Sequence, residues 1–462
     1  MRFWRILTLL LVVAVAGINL WRMGADSFQQ AAPPAASPVV SLAARSAAAA
    51  PAVFAVGYAW LIGSLLTGLL WPRRGEPGLV ICVGAGIGLG LTAFIHLCTS
   101  RITAHPAFVV LPLELLLGCS LLFLWLRKTR SLPPPGAGRS ARSWLGSLVR
   151  LAFAAGCIVA LVALASSWPA GTDPPSSPPL VSAGAARIGT YAGSGNPFAA
   201  GLLPAAFTLA TVGLLVAGVD RLRNRLIALA GGLVLLATPG FVRFAPGTPT
   251  DIPLGYFLLT ATVLVSIARD EGDSGILFLA GLSAGLAAWA GQAGLLFCTA
   301  LGLVFGISQL AARRWRNLPP LLGGLALTLV PLFLASLPLA GERAGSLTDW
   351  SRYQVILTAW WRDLPRFGEW YSLPFLVMAL HLIGPGRGWF ERRTVVAAAL
   401  LLLLLAGCFI LGLLRPVDFS SRFLQVWPVA VFLWCLLAVR AAPAAGQTSP
   451  AAAPADSAPS GR

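Results

Sequence analysis

Acidic side chains are scarce in this sequence: 16 Asp and Glu among 462 residues, against 33 Lys and Arg. Each acid outside a basic break therefore needs a reason. Asp173 stands in Trp168-Pro169-Ala170-Gly171-Thr172-Asp173-Pro174-Pro175. A carboxylate there can serve as general base on a hydroxyl; the competing reading is an Asp that shapes a turn in a Pro-rich loop. Asp251 stands in Thr248-Pro249-Thr250-Asp251-Ile252-Pro253-Leu254. An Asp just before a first-turn Pro accepts backbone N–H groups and complements the helix dipole. The same placement would fix a carboxylate at a membrane surface. Glu114 falls well inside an apolar run, where an ionisable group usually faces a partner or a wet cavity. The plainer alternative is that it snorkels or pairs with a polar group such as His96.

Two arginines stand beside such ends. Arg422 belongs to Asp418-Phe419-Ser420-Ser421-Arg422-Phe423-Leu424-Gln425-Val426-Trp427-Pro428, and Arg243 closes Thr238-Pro239-Gly240-Phe241-Val242-Arg243. A guanidinium there can hold a lipid phosphate through two parallel hydrogen bonds, or simply anchor a helix end among headgroups. The three histidines show no metal-ligand spacing, and the seven cysteines contain no CxxC and lie mostly in apolar runs. That pattern reads as small buried residues rather than a zinc or disulfide framework.

The elements that must position these residues follow from composition. The chain is 57% hydrophobic and 11% charged, where an ordinary soluble domain carries about 25% charge. A disordered chain would be poor in Leu, Val and Phe. Fourteen apolar runs are expected to be helical membrane spans: 4–20, 52–71, 78–97, 107–126, 151–167, 199–219, 226–242, 252–268, 275–290, 293–311, 319–340, 371–386, 394–414 and 423–439. Each approaches the roughly 20 residues that a hydrocarbon core requires. The expected fold is an all-α polytopic bundle. The first run follows the basic Met1–Arg5 segment and is read as a retained anchor rather than a cleaved signal peptide.

The net charge of +17 raises the question of nucleic acid. The basic residues sit mainly in short breaks between spans, and only Lys128 is a lysine, so no nucleic-acid partner is expected. With the N-terminus cytoplasmic, 22 of the 33 basic residues fall on the inner side, as the positive-inside rule demands. Both termini are then cytoplasmic. The outer breaks include residues 21–51, a linker rich in Ala, Pro and Ser; 168–198, a loop rich in Pro, Gly and Ser; and 341–370. The last alternates Trp350, Tyr353, Trp360, Trp361 and Trp370 with charges, which suits a helix lying at the membrane interface. Residues 441–462 read as a disordered cytoplasmic tail.

The stretch 236–306 resembles the GT-C superfamily of membrane glycosyltransferases, in the bacterial branch of protein mannosyltransferases and aminoarabinose transferases. Thr238-Pro239 leads to Asp251-Ile252-Pro253-Leu254, then to Leu279-Ala280-Gly281-Leu282-Ser283-Ala284-Gly285-Leu286-Ala287-Ala288-Trp289, and Arg422 resembles a late S-x-R-x-L-x-x-x-P element. Weaker likeness runs over 151–440. The resemblance implies an N-terminal transmembrane module (1–126), a basic cytoplasmic loop (127–150), a GT-C-like core (151–440) and the tail. It implies a polyprenyl-phosphate sugar as donor, an acceptor hydroxyl and a bacterial inner-membrane location. It also implies Asp173 as base and Asp251 as a second catalytic carboxylate that orients the acceptor or supports a divalent metal. Arg243 and Arg422 would be the phosphate partners. Where relatives read T-K-N-E-G, the chain has Ala290-Gly291-Gln292-Ala293-Gly294; the Lys and Glu are absent, and Gln292 is the polar residue left to contact substrate. The loop 168–198 is short for the family, and its usual Trp after the Asp is missing. Those departures keep a second class in play, a non-catalytic scaffold or lipid-binding subunit. A transporter is a third class, but no internal repeat of the kind transporters carry is visible.

Overall fold

Apolar helices satisfy their backbone hydrogen bonds internally, which is what hydrocarbon requires. In the computed structural model every regular element among the described residues is a helix. Those residues are 16, 42–71, 77–103, 105–129, 149–158, 179–193, 197–243, 251–271, 273–335, 353–355, 357–358, 392–414 and 419–437. The helices are α1 (Leu42–Leu70), α2 (Pro77–Ile102), α3 (Pro106–Thr129), α4 (Val149–Ile158), α5 (Pro179–Ala192), α6 (Pro197–Leu222) and α7 (Arg225–Leu236). They continue with α8 (Pro239–Arg243), α9 (Asp251–Glu271), α10 (Ser274–Ala290), α11 (Gln292–Ala311), α12 (Leu318–Ala335), α13 (Arg392–Leu414) and α14 (Phe419–Leu437). Six contain segments long and apolar enough to cross a membrane: Ala49–Leu70, Pro77–Ile102, Pro106–Lys128, Gly201–Leu222, Asp251–Ala268 and Gln292–Ala311. The protein is an all-α polytopic membrane bundle.

The expected spans from 52–71 to 107–126, from 199–219 to 319–340, and the last two all coincide with helices. The spans 4–20 (Ala16 apart) and 371–386, the second half (159–167) of the span 151–167, residues 130–148 of the basic loop, residues 168–178 of the outer loop and the tail lie outside the described residues. Of the expected interfacial segment 341–370, residues 353–355 and 357–358 are described, and they are helical.

One expectation is corrected. Within the stretch read as an outer loop, residues 179–192 form α5, which packs against α1, α2 and α6. Its buried residues Leu180, Val181, Ala183, Gly184, Arg187 and Ile188 recur at helical spacing. The signal is muted because a third of that face is Ala or Gly, and the arginine in it looks like a solvated charge.

α9 is the axis of the core: all of Asp251–Ala268 is buried, against α6, α10 and α14. α3 lies at the rim, with most of its side chains exposed. Two helix pairs approach so closely that only glycine fits. A Cβ at Gly63 or Gly88 would overlap backbone across the α1–α2 crossing, and one at Gly281 or Gly324 would overlap backbone between α10 and α12. Tyr256 ties α9 to α2: its hydroxyl donates to the Cys82 carbonyl (2.8 Å), with that of Val83 at 2.9 Å, and accepts from the Gly86 N–H (3.3 Å). The main hydrophobic core takes in Val83 of α2 and Leu436 of α14, with two small clusters beside it.

Candidate functional site

Asp251 opens α9, and its carboxylate is buried. It does not merely cap its own helix. Gln425, two turns into α14, donates from Nε2 to Asp251 Oδ1 at 2.5 Å. The crossing of α9 and α14 is tight at this level, since a Cβ on Gly255 would lie 3.1 Å from the Gln425 carbonyl. Trp427 Nε1 donates to Thr238 Oγ1 at 3.2 Å, pinning the end of α7 to α14. The short helix α8 starts one residue after Thr238 and packs against α7 and α14. The backbone of Arg243 ends α8. The backbone of Arg422 lies in the first turn of α14, three residues and so about one turn before Gln425.

Gln292 begins α11 immediately after Gly291, and its side chain is exposed. Gly291 borders Leu254, in the first turn of α9: a Cβ there would lie 3.5 Å from Leu254 Cδ2. Positions 243, 251, 292 and 422 therefore gather at one end of the bundle. The side chains of Arg243 and Arg422 lie outside the described residues, as does Asp173 altogether.

Gln425 is the residue that sequence reasoning missed. An amide beside a carboxylate must present its NH2 end, because its oxygen would be repelled. Gln425 Oε1 is thereby turned away; it is buried and has no hydrogen-bond partner among the described residues. A buried acceptor left unmet costs roughly 1–3 kcal/mol. The available signal was its spacing, one helical turn after Arg422 on an otherwise apolar helix.

A second polar cluster lies at α3 and α5. Glu114, fully buried, accepts from Arg187 Nε (2.6 Å) and Nη2 (2.7 Å), and from the Tyr191 hydroxyl (2.7 Å). Arg187 is also buried, and its Nη1 donates to the Ala55 carbonyl of α1 at 3.1 Å. Its guanidinium stands over the Tyr191 ring, 5.2 Å from the centroid. Glu114 pairs, but with Arg187 rather than with a group such as His96, because α5 enters the bundle and brings a full charge. His96 is buried in α2, and neither ring nitrogen has a partner among the described residues.

The described residues hold no group of three or more His, Cys, Asp or Glu able to take a metal ion. Cys298 and Cys435 are buried thiols and Cys119 is exposed.

Residues 176–336 match the family model described as dolichyl-phosphate-mannose-protein mannosyltransferase. The match holds α5 through α12, with Asp251, Arg243 and Gln292, and it encloses the stretch 236–306 on which the resemblance rests. No curated protein and no solved structure matches the chain.

Proposed function

We propose, for a chain whose residues 176–336 mark it as a GT-C-type membrane glycosyltransferase, that it moves a sugar from a polyprenyl-phosphate donor to an acceptor hydroxyl at the outer face of the membrane. The observation that carries this reading is the buried Asp251, held by Gln425 and flanked by the helices that bear Arg243 and Arg422. In this reading the first 126 residues are a module in front of a transferase core at 151–440, and the membrane is the bacterial inner membrane.

Asp173 takes the proton of the acceptor hydroxyl. The freed oxygen attacks the anomeric carbon, and the bond from that carbon to the phosphate oxygen breaks. Arg243 and Arg422 steady the charge that collects on the departing polyprenyl phosphate. Asp251 orients the acceptor, its own position set by the Gln425 amide. Gln292, exposed at the start of α11, contacts substrate at the same end.

The second reading is a non-catalytic lipid-binding relative. Its support is the run Ala290–Gly294, where the family's Lys and Glu are missing. One experiment separates the two. The purified protein is examined by mass spectrometry for bound polyprenyl phosphate, then supplied in proteoliposomes with a synthetic polyprenyl-phosphate hexose and an envelope extract as acceptor. The transferase reading expects release of polyprenyl phosphate, abolished by Asp173→Asn. Wild-type turnover in that variant removes Asp173 from the role of base. Bound carrier without turnover in the wild type leaves the scaffold reading standing.

A further inference from the structure

At the end of α11 opposite Gln292, residues 312–317 turn the chain into α12. Over its 20 residues α11 carries this turn about 30 Å from the Asp251 end. The turn is built, not slack. Arg313 adopts a left-handed φ of 54°, a conformation that side chains other than glycine rarely take. The Arg313 N–H donates to the Leu310 carbonyl (2.9 Å) and the Arg314 N–H to that of Gln309 (2.8 Å). Asn317 closes the other side, with its N–H on the Arg314 carbonyl (3.1 Å) and its Nδ2 on Gln309 Oε1 (3.1 Å).

This frame displays Arg313, Arg314, Trp315 and Arg316, all exposed. Three other described basic side chains have protein partners. Lys128 Nζ donates to the Leu69 carbonyl (2.5 Å), Arg223 donates to the Leu436 carbonyl, and Arg187 is spent on Glu114. The guanidiniums of Arg313, Arg314 and Arg316 have no partner among the described residues. A general inward bias of positive charge accounts for basic residues at this end. It does not account for three free guanidiniums and a tryptophan fixed on one strained turn.

The apolar surface next to the turn completes the pattern. Leu303, Ile307 and Leu310 of α11 and Leu322 of α12 are all more than half exposed. α11 and α12 each pack along α10 rather than along one another, so their outer flanks diverge as they leave the turn. Acyl chains fit such flanks, a tryptophan belongs at headgroup depth, and guanidiniums grip phosphate in a planar fork.

We propose that residues 313–316 form a binding site for the headgroup of an acidic glycerophospholipid. The arginines hold its phosphate and its chains lie against Leu303, Ile307, Leu310 and Leu322. The leaflet is the cytoplasmic one in the topology that the charge bias implies. This site is independent of sugar transfer and stands or falls without it.

The test is native mass spectrometry of the full chain, delipidated in detergent and titrated with cardiolipin, phosphatidylglycerol or phosphatidylcholine. The two acidic lipids are expected to bind about 10- to 100-fold more tightly than phosphatidylcholine, from roughly one unit of basic attraction per arginine. The variant R313Q/R314Q/R316Q should lose that preference. The single variants R314Q and R316Q, each expected to weaken cardiolipin binding about fivefold, keep the test open if the triple variant does not fold. Unchanged preference in the triple variant, or unchanged affinity in both single variants, overturns the proposal. So does full displacement of cardiolipin by millimolar inorganic phosphate, which would make this a site for free anions.

Discussion

Glu114 and Asp251, the two carboxylates buried among the described residues, meet different kinds of partner. Glu114 is met by Arg187 and Tyr191, and the guanidinium that pairs with it spends a further donor on Ala55. The charges cancel and three helices are bound into one register. Asp251 meets the Gln425 amide, whose own oxygen has no partner among the described residues. A closed ionic network contributes position and has nothing left to offer a ligand. At Asp251 the contact is with an uncharged amide, beside a buried acceptor that has no partner among the described residues.

The sharpest way to break this comparison is at Arg187. Arg187→Leu leaves Glu114 as an uncompensated buried charge and should destabilise the protein by about 3–5 kcal/mol, read as a fall in the unfolding midpoint in detergent. The double variant Glu114→Leu/Arg187→Leu should recover most of that loss; if it is no more stable than the single variant, the pair is not a closed unit. At the other region the expected loss is in rate. Asp251→Asn keeps an oxygen for Gln425 and should fold normally, while transfer falls about 10²-fold in the proteoliposome assay. Full activity there would reduce Asp251 to a helix-end residue.

Smaller changes sharpen the contrast. Tyr191→Phe removes one hydrogen bond to a charged group and should cost about 1.5–3 kcal/mol of stability, with activity per folded molecule intact. Gln425→Met removes the amide from Asp251 at similar volume. Its stability should fall by about 1–3 kcal/mol, since the buried Asp251 carboxylate loses a donor even as the unmet Oε1 disappears. Its KM or kcat should shift as well, and an effect confined to the unfolding midpoint would show that Gln425 serves only the fold.

The apolar runs were legible because a run that must remain in hydrocarbon has no alternative to a helix; α9, α10 and α11 lie within three residues of their expected bounds. Asp251 was legible for the same kind of reason, a carboxylate at a helix start beside a proline. Gln425 was not, because its one local signal, a spacing of one turn after Arg422, acquires meaning only from the α9–α14 crossing. α5 was hidden by its small residues, and Arg187 by a sequence position that resembled exposed loop.

Composition and run length alone determined that this protein is a helical membrane bundle, since the cost of bare backbone polar groups in hydrocarbon is paid locally, residue by residue. Which charges meet was decided by tertiary structure. Glu114 and Arg187 are 73 positions apart in the chain, Asp251 and Gln425 174. No local rule links such pairs; close crossing of helices along glycine and alanine faces brings them into contact, and burial then makes each pairing obligatory.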